Sequence, residues 1–217
     1  MFAYFIALAP VGIVLLLSEF LWRKKIVKGE KARKFIHILS GVWIAFWPFY
    51  LSFNAIFVFG LLAAIILIYS RITHLFHAIY AVKRRTYGDI LFAITVVLCA
   101  LLGQETWVFT VSILFMALAD GGAAVVGRFW GISNQYYVFG KQNLRKSIAG
   151  TAAYIVLAYA SIGLGYVLGG ADTIESHIVA TLLILPLGAA LLENVTPFGI
   201  DNLVTPLFAT LILNSLL

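Results

Sequence analysis

Asp120, Ala123, Gly127 and Gly131 are spaced three, four and four, which on a helix places them on one face. A carboxylate heading a stripe of small residues admits something close to the backbone. A neighbouring helix is one occupant, since Gly127 and Gly131 form a GxxxG pair; a ligand is the other. Basic residues follow. Arg128, Arg145 and Lys146 bracket a polar loop, ISNQYYVFGKQNL, which itself contains Lys141, and Ser147 opens the next apolar run. A serine there is an N-cap, and the free N–H groups and positive dipole end of a helix attract an anion, with Gly150 allowing close approach. An aspartate held opposite suits Mg²⁺, which takes one or two carboxylates together with substrate phosphates. Neither a Walker A sequence nor GxGxxG is present. These residues read as a site for Mg²⁺ and a phosphate-bearing ligand.

The elements that must position them are membrane helices. The 217 residues are 63% apolar and 11% charged, against roughly 25% charged in a soluble domain, and mean hydropathy is +1.03. That balance excludes a cytosolic enzyme, a secreted disulfide scaffold and a disordered regulator. With Cys99 the single cysteine, neither an intramolecular disulfide nor a cysteine-based metal site can form. Apolar runs cover about 2–22, 35–52, 53–70, 89–104, 107–127, 147–170, 177–193 and 202–217. They lack the alternation of barrel strands, so the expected fold is an all-α, polytopic transmembrane helix bundle of seven to eight spans, one integral membrane domain over 1–217.

All fifteen Lys and Arg fall in loops 23–34, 71–88 and 128–146. With eight spans these loops share one side, which the positive-inside rule makes cytoplasmic, leaving both termini outside. The first run has no basic residue before it and a dense cluster after it, the reverse of a secretory signal, so it is expected to be a retained span. With no targeting extension, the chain suits a prokaryotic plasma membrane. The net charge of +6 points to phosphates and anionic headgroups of the lipid bilayer, not to nucleic acid. Ionisable residues within spans are functional candidates by default: Glu19, His37, Asp89, Asp120, Glu193 and Asp201 all fall toward the cytoplasmic side. His37 lies three and four residues from Lys34 and Arg33, so the three share a helix face that suits a phosphate or an interfacial histidine. Asp201 with Asn202 belongs either to the site or to an N-cap. Glu19 and Arg23, at i,i+4, pair with each other.

The spelling is more specific than the physics. DxxAxxxGxxxG, a basic loop and Lys146-Ser147-Ile148-Ala149-Gly150-Thr151 resemble the CTP-binding signature of the membrane polyprenol kinases, which include dolichol, phytol and farnesol kinases. The phytol kinase branch, with KSWAGS, is most similar; the dolichol kinase branch carries Glu where this chain has Ala149. Arg33 to His37 (RKFIH) resembles the family's RKxxH, Tyr87 to Phe92 (YGDILF) its YGEIYF, and Glu193 to Leu207 its ExxxPxGxDNLTVPL ending. The four stretches occur in order.

The resemblance implies transfer of the γ-phosphoryl of CTP to an isoprenoid alcohol. Asp120 would hold Mg²⁺. Arg128, Lys141 and Lys146, with the amides around Ser147, would meet phosphates, while Ala123, Gly127, Gly131 and Gly150 line the nucleotide. Arg33, Lys34 and Asn202 would contact substrate or phosphate. Glu193, Asp201 and His37 are the candidates for the base that helps an alcohol attack. Two other readings are a cytidylyltransferase acting on a lipid phosphate, against which the absent Glu at Ala149 argues, and a small transporter or flippase, which predicts repeats and mid-membrane charges that are not visible. The GxxxG pair leaves a homodimer open.

Overall fold

The computed structural model describes residues 2–27, 29–73, 75–80, 86–103, 105–140 and 145–217. Its helices are α1 (Phe2–Arg23), α2 (Glu30–Ala45), α3 (Phe53–Thr73), α4 (His77–Tyr80), α5 (Gly88–Leu102), α6 (Thr106–Leu114), α7 (Gly121–Trp130), α8 (Ile148–Gly165), α9 (Ala171–Ser176), α10 (Leu185–Val195) and α11 (Asp201–Leu216). Between α6 and α7 the helix is not interrupted but widened, with i→i+5 bonding over Phe115–Asp120.

The architecture is all-α, as the apolar runs predict, and a helix lies in every one of the eight runs. Among the described residues four helices are long and apolar enough to cross a membrane: Phe2–Arg23, Phe53–Thr73, Thr106–Trp130 and Ile148–Ser176. Gly88–Leu102 and Ala180–Val195 are apolar but shorter. The polar segment after α7 is read from sequence as a loop. Instead it forms an antiparallel pair, β1 (Gln135–Tyr137) and β2 (Arg145–Ser147), with Tyr136 opposite Lys146. Three-residue strands are too short to carry a period-2 pattern, so nothing in the sequence announced them.

The central element is Thr106–Trp130, whose apolar window is 78% buried, against 17% for Phe2–Arg23 and 22% for Phe53–Thr73. One core lies on each side of it. Trp107, Val111 and Phe115 pack toward Tyr154, Leu185 and Leu213, while Phe109, Ile113 and Met116 pack toward Ile44, Ile56 and Val96. The outer faces of α1 and α3 present Phe5, Ile13, Leu16, Ile65 and Tyr69, the surface expected against lipid. Hydroxyls tie the helices together, as is usual where lipid competes for apolar contact. Thr110 Oγ1 donates to Ala45 O at 2.9 Å, Thr95 Oγ1 to Asn202 O at 2.8 Å, and Thr210 Oγ1 to Ser112 Oγ at 2.9 Å.

Candidate active site

Four separate elements meet at one end of the bundle. Asp120 closes the widened stretch before α7, Glu193 lies near the end of α10, Asp201 opens α11, and α2 supplies Arg33, Lys34 and His37. One oxygen from each of Asp120, Glu193 and Asp201 lies within 4.8 Å of the others. The turn between α10 and α11 makes this possible. Phe198 has φ +60° and Gly199 φ +86°, reversing the chain so that α11 starts beside the end of α10. Gly199 has no substitute there, because a Cβ would sit 2.7 Å from the backbone N and Cα of Gly88 and an L side chain disfavours that φ.

The carboxylates are held by bases from elsewhere in the chain. Lys34 Nζ donates to Asp120 Oδ2 at 2.5 Å with both side chains buried. His37 Nε2 lies 3.5 Å from the same oxygen and 2.8 Å from Met116 O. A carbonyl only accepts, so Nε2 carries a proton, and in the neutral form of the ring Nδ1 is the acceptor. Met116 belongs to the widened stretch, the kind of helix irregularity that frees backbone groups at functional sites. Lys146 donates to the Glu193 carboxylate and at 2.7 Å to Glu193 O. Burial alone would lower its pKa, but Glu193, Asp201 and Asp120 outweigh burial and hold it above an ordinary lysine.

The three carboxylates and the two lysines bonded to them sum to one negative charge. A divalent cation fits that balance. Ligands on opposite sides of a Mg²⁺ at 2.0–2.1 Å stand about 4.2 Å apart, so the 4.8 Å spread needs only side-chain rotation to close.

Other residues singled out from sequence have different surroundings. Ser147 is the N-cap of α8, its Oγ accepting from Gly150 N–H at 3.1 Å. A Cβ on Gly127 would meet Ser147 Oγ at 2.9 Å and Gly150 Cα at 3.5 Å, and one on Gly150 would meet Ala123 O at 3.1 Å. Gly131 also presses on Ser147. The small stripe of Ala123, Gly127, Gly131 and Gly150 is thus the seam where α7 packs on the start of α8, the neighbouring-helix alternative. Arg128 is exposed near the end of α7. Lys141 lies outside the described residues. Arg33 is buried and bonded to Glu30. Asn202 Nδ2 donates to Gly88 O at 2.7 Å, which ties α11 to the start of α5. Asp201 is not the cap of α11, which is Ile200, but stands in its first turn, where a carboxylate complements the helix dipole.

Sequence reasoning missed Glu30, although its i,i+3 spacing to Arg33 was visible. It also missed the cluster in which Asn194 Oδ1 accepts from Tyr136 Oη at 2.7 Å and Thr151 Oγ1 at 3.2 Å. That cluster joins the hairpin, α8 and α10 beside Glu193. The one signal was Asn194 following Glu193. Glu19 pairs with Arg23 at 3.1 Å as expected, but it also meets His77 Nδ1 at 3.1 Å and accepts from Ala78 N–H at 3.0 Å, fastening α4 to α1. Asp89 meets Arg71 Nη2 at 3.4 Å.

No family model matches the chain, and no solved structure matches it. Among curated proteins it is similar to a phytol kinase of Synechocystis sp., at 33% identity over 218 residues that cover 95% of this chain and 88% of the relative.

Proposed function

We propose that this chain, which belongs to the phytol kinase family, phosphorylates the hydroxyl of an isoprenoid alcohol with CTP as donor and Mg²⁺ as cofactor. The observation that carries the reading is the convergence of Asp120, Glu193 and Asp201 from distant parts of the chain, each lysine bonded to the cluster coming from a family-like stretch. In the reaction the alcohol oxygen bonds to the γ-phosphorus, the bridging bond to the β-phosphate breaks, and CDP leaves. Phosphoryl transfer asks mainly for positioning and charge stabilisation.

Asp120, Glu193 and Asp201 would hold Mg²⁺, which when bound neutralises phosphate charge. Lys34 and Lys146 keep the carboxylates oriented and supply positive charge for the phosphates, with Arg128 and Lys141 as further contacts at the nucleotide's edge. Ser147 and Gly150 fix the start of α8, and the tight α7–α8 seam holds that start close to Asp120. His37, with Nε2 donating to Met116 O, offers Nδ1 as the acceptor for the alcohol's proton. Buried surroundings exclude water from the acceptor side. The whole chain would work as one integral membrane domain of seven to eight spans, both termini outside and the site at the cytoplasmic face of a prokaryotic plasma membrane, so that the alcohol's tail stays in lipid.

The test is purified protein in nanodiscs with γ-labelled CTP, Mg²⁺ and a panel of phytol, farnesol, geranylgeraniol and longer polyprenols. Label is expected in a lipid monophosphate. Pyrophosphate release without labelled lipid would point to a cytidylyltransferase, and no turnover with any alcohol overturns the reading.

A further inference from the structure

Outside the carboxylate cluster, a cavity of about 370 Å³ lies between α1, α2, α3 and α5. Most of its wall is apolar, including Leu15, Ile36, Ile44 and Phe92. Its polar residues gather toward one end, where Arg33, His37 and Asp89 face it, with Ser40 one turn further along α2. His37 is shared between the cavity and the carboxylate cluster, since its Nε2 lies 3.5 Å from Asp120 Oδ2. The opposite end is closed by aromatic rings. Trp47 packs edge-on against Phe59 with centroids 6.0 Å apart, and Phe59 against Tyr4 at 5.5 Å. Between these ends the α1–α3 side opens outward, because Leu8, Leu62 and Ile66 both line the cavity and are exposed.

The polar end contains groups whose hydrogen bonding is unfinished. Among the described residues, Asp89 Oδ2, Arg33 Nε and Ser40 Oγ are buried without a hydrogen-bond partner, and the Asp89 and Arg33 side chains are each only 7% exposed. Such orphans are uncommon in a folded interior and call for a reason. Arg33 and the start of α5 are neighbours: a Cβ on Gly88 would lie 3.2 Å from Arg33 Nη1. A hydroxyl has the chemistry both groups lack, a donor for Asp89 Oδ2 and an acceptor for Arg33 Nε–H. An ionised carboxylate or phosphodiester headgroup cannot supply both, because its oxygens only accept and leave Asp89 Oδ2 without a donor. The occupant therefore has an apolar body and a neutral hydroxyl head. From Arg33 to Ile44 the lining face of α2 runs roughly 16 Å at 1.5 Å per residue, long enough for several isoprene units.

Resting on the kinase reading above, we propose that this cavity is the tail site of the acceptor alcohol. Asp89 and Arg33 hold its hydroxyl beside His37, the tail enters sideways from the bilayer between α1 and α3, and the Trp47–Phe59 rings set how long a chain the site encloses. Asp89, Ser40 and Trp47 thereby join Arg33 as substrate contacts, and chain-length selection falls to the turn after α2 and to α3, away from the nucleotide.

Two measurements test it, and only one needs turnover. A geranylgeraniol carrying a diazirine at its tail end, irradiated with the protein in phosphatidylcholine nanodiscs without nucleotide, is expected to label peptides containing Trp47 and Phe59. Excess phytol should compete and phosphatidate should not. Labelling elsewhere, or equal competition by phosphatidate, overturns the tail site even if the protein phosphorylates nothing. The second measurement uses Ala63→Trp, which puts bulk into the half-buried middle of the cavity wall. It should lower kcat/KM for a twenty-carbon alcohol at least about tenfold relative to a ten-carbon one, since even one misfitted methylene in an apolar pocket costs about tenfold. An unchanged ratio in an active variant overturns the assignment. A wild-type protein that labels at Trp47 but phosphorylates no alcohol overturns the kinase reading and leaves the tail site standing.

Discussion

Lys34→Met is the perturbation that separates a structural from a functional role for the carboxylate cluster. Lys34 Nζ sits 2.5 Å from Asp120 Oδ2, and the two side chains are 7% and 5% exposed. Removing the ammonium leaves Asp120 charged, buried and without its principal partner, a change that costs about 3–5 kcal/mol. At about 2–4 °C per kcal/mol for a chain of this size, the melting temperature should fall by roughly 6–20 °C. The fall should sit at the lower end, because His37 Nε2 at 3.5 Å still faces the carboxylate. Cys99 provides the assay. It is the single cysteine and fully buried, so a thiol-reactive dye reports its exposure as the detergent-solubilised protein unfolds. The double variant Lys34→Met with Asp120→Asn removes both charges and should recover most of the lost stability while remaining inactive. A single variant melting within the wild-type error would refute the buried-pair reasoning. A double variant with wild-type turnover would refute Asp120 as a metal ligand.

Glu193→Gln and Asp201→Asn should each raise the Mg²⁺ concentration needed for half-maximal activity by about 10-fold or more, the loss typical when a ligand or its support is removed, as read from Mg²⁺ titrations; an unchanged requirement rules that side chain out of the metal site. Ser147→Ala removes the α8 cap bond to Gly150 N–H and should cost about 1 kcal/mol, a melting shift of a few degrees at unchanged KM for nucleotide. Gly150→Val drives a side chain toward Ala123 O and Gly127 Cα and should destabilise by about 1–3 kcal/mol through overpacking; a wild-type melting temperature would mean the seam is not closed. Asn202→Ala leaves Gly88 O without its side-chain donor, costing about 1–3 kcal/mol, visible as faster hydrogen exchange at the start of α5.

The all-helical architecture was legible because span-length apolar runs admit almost no other backbone in lipid. Local pairs such as Glu19–Arg23 follow from helical spacing, and the family followed from the spelling around Asp120, Lys146 and Glu193. What failed locally was the polar segment before Ser147, read as loop and found as a hairpin, since its two strands are paired by chain folding and not by pattern.

By itself the sequence determined which residues carry charge, and that most of them fall at the ends of apolar runs. It did not determine which of them touch. Lys34 and Asp120 are 86 residues apart and Lys146 and Glu193 are 47 apart, and no helical or strand period links positions at such separations. Only the packing of α2, α10 and α11 around the central helix made Lys34 the partner of Asp120 and turned the glycine stripe toward α8. The same packing left Asp89 and Arg33 facing an apolar cavity with bonds unmade. Spacing along one helix is fixed by covalent geometry, whereas contacts between helices depend on how side chains interlock in three dimensions.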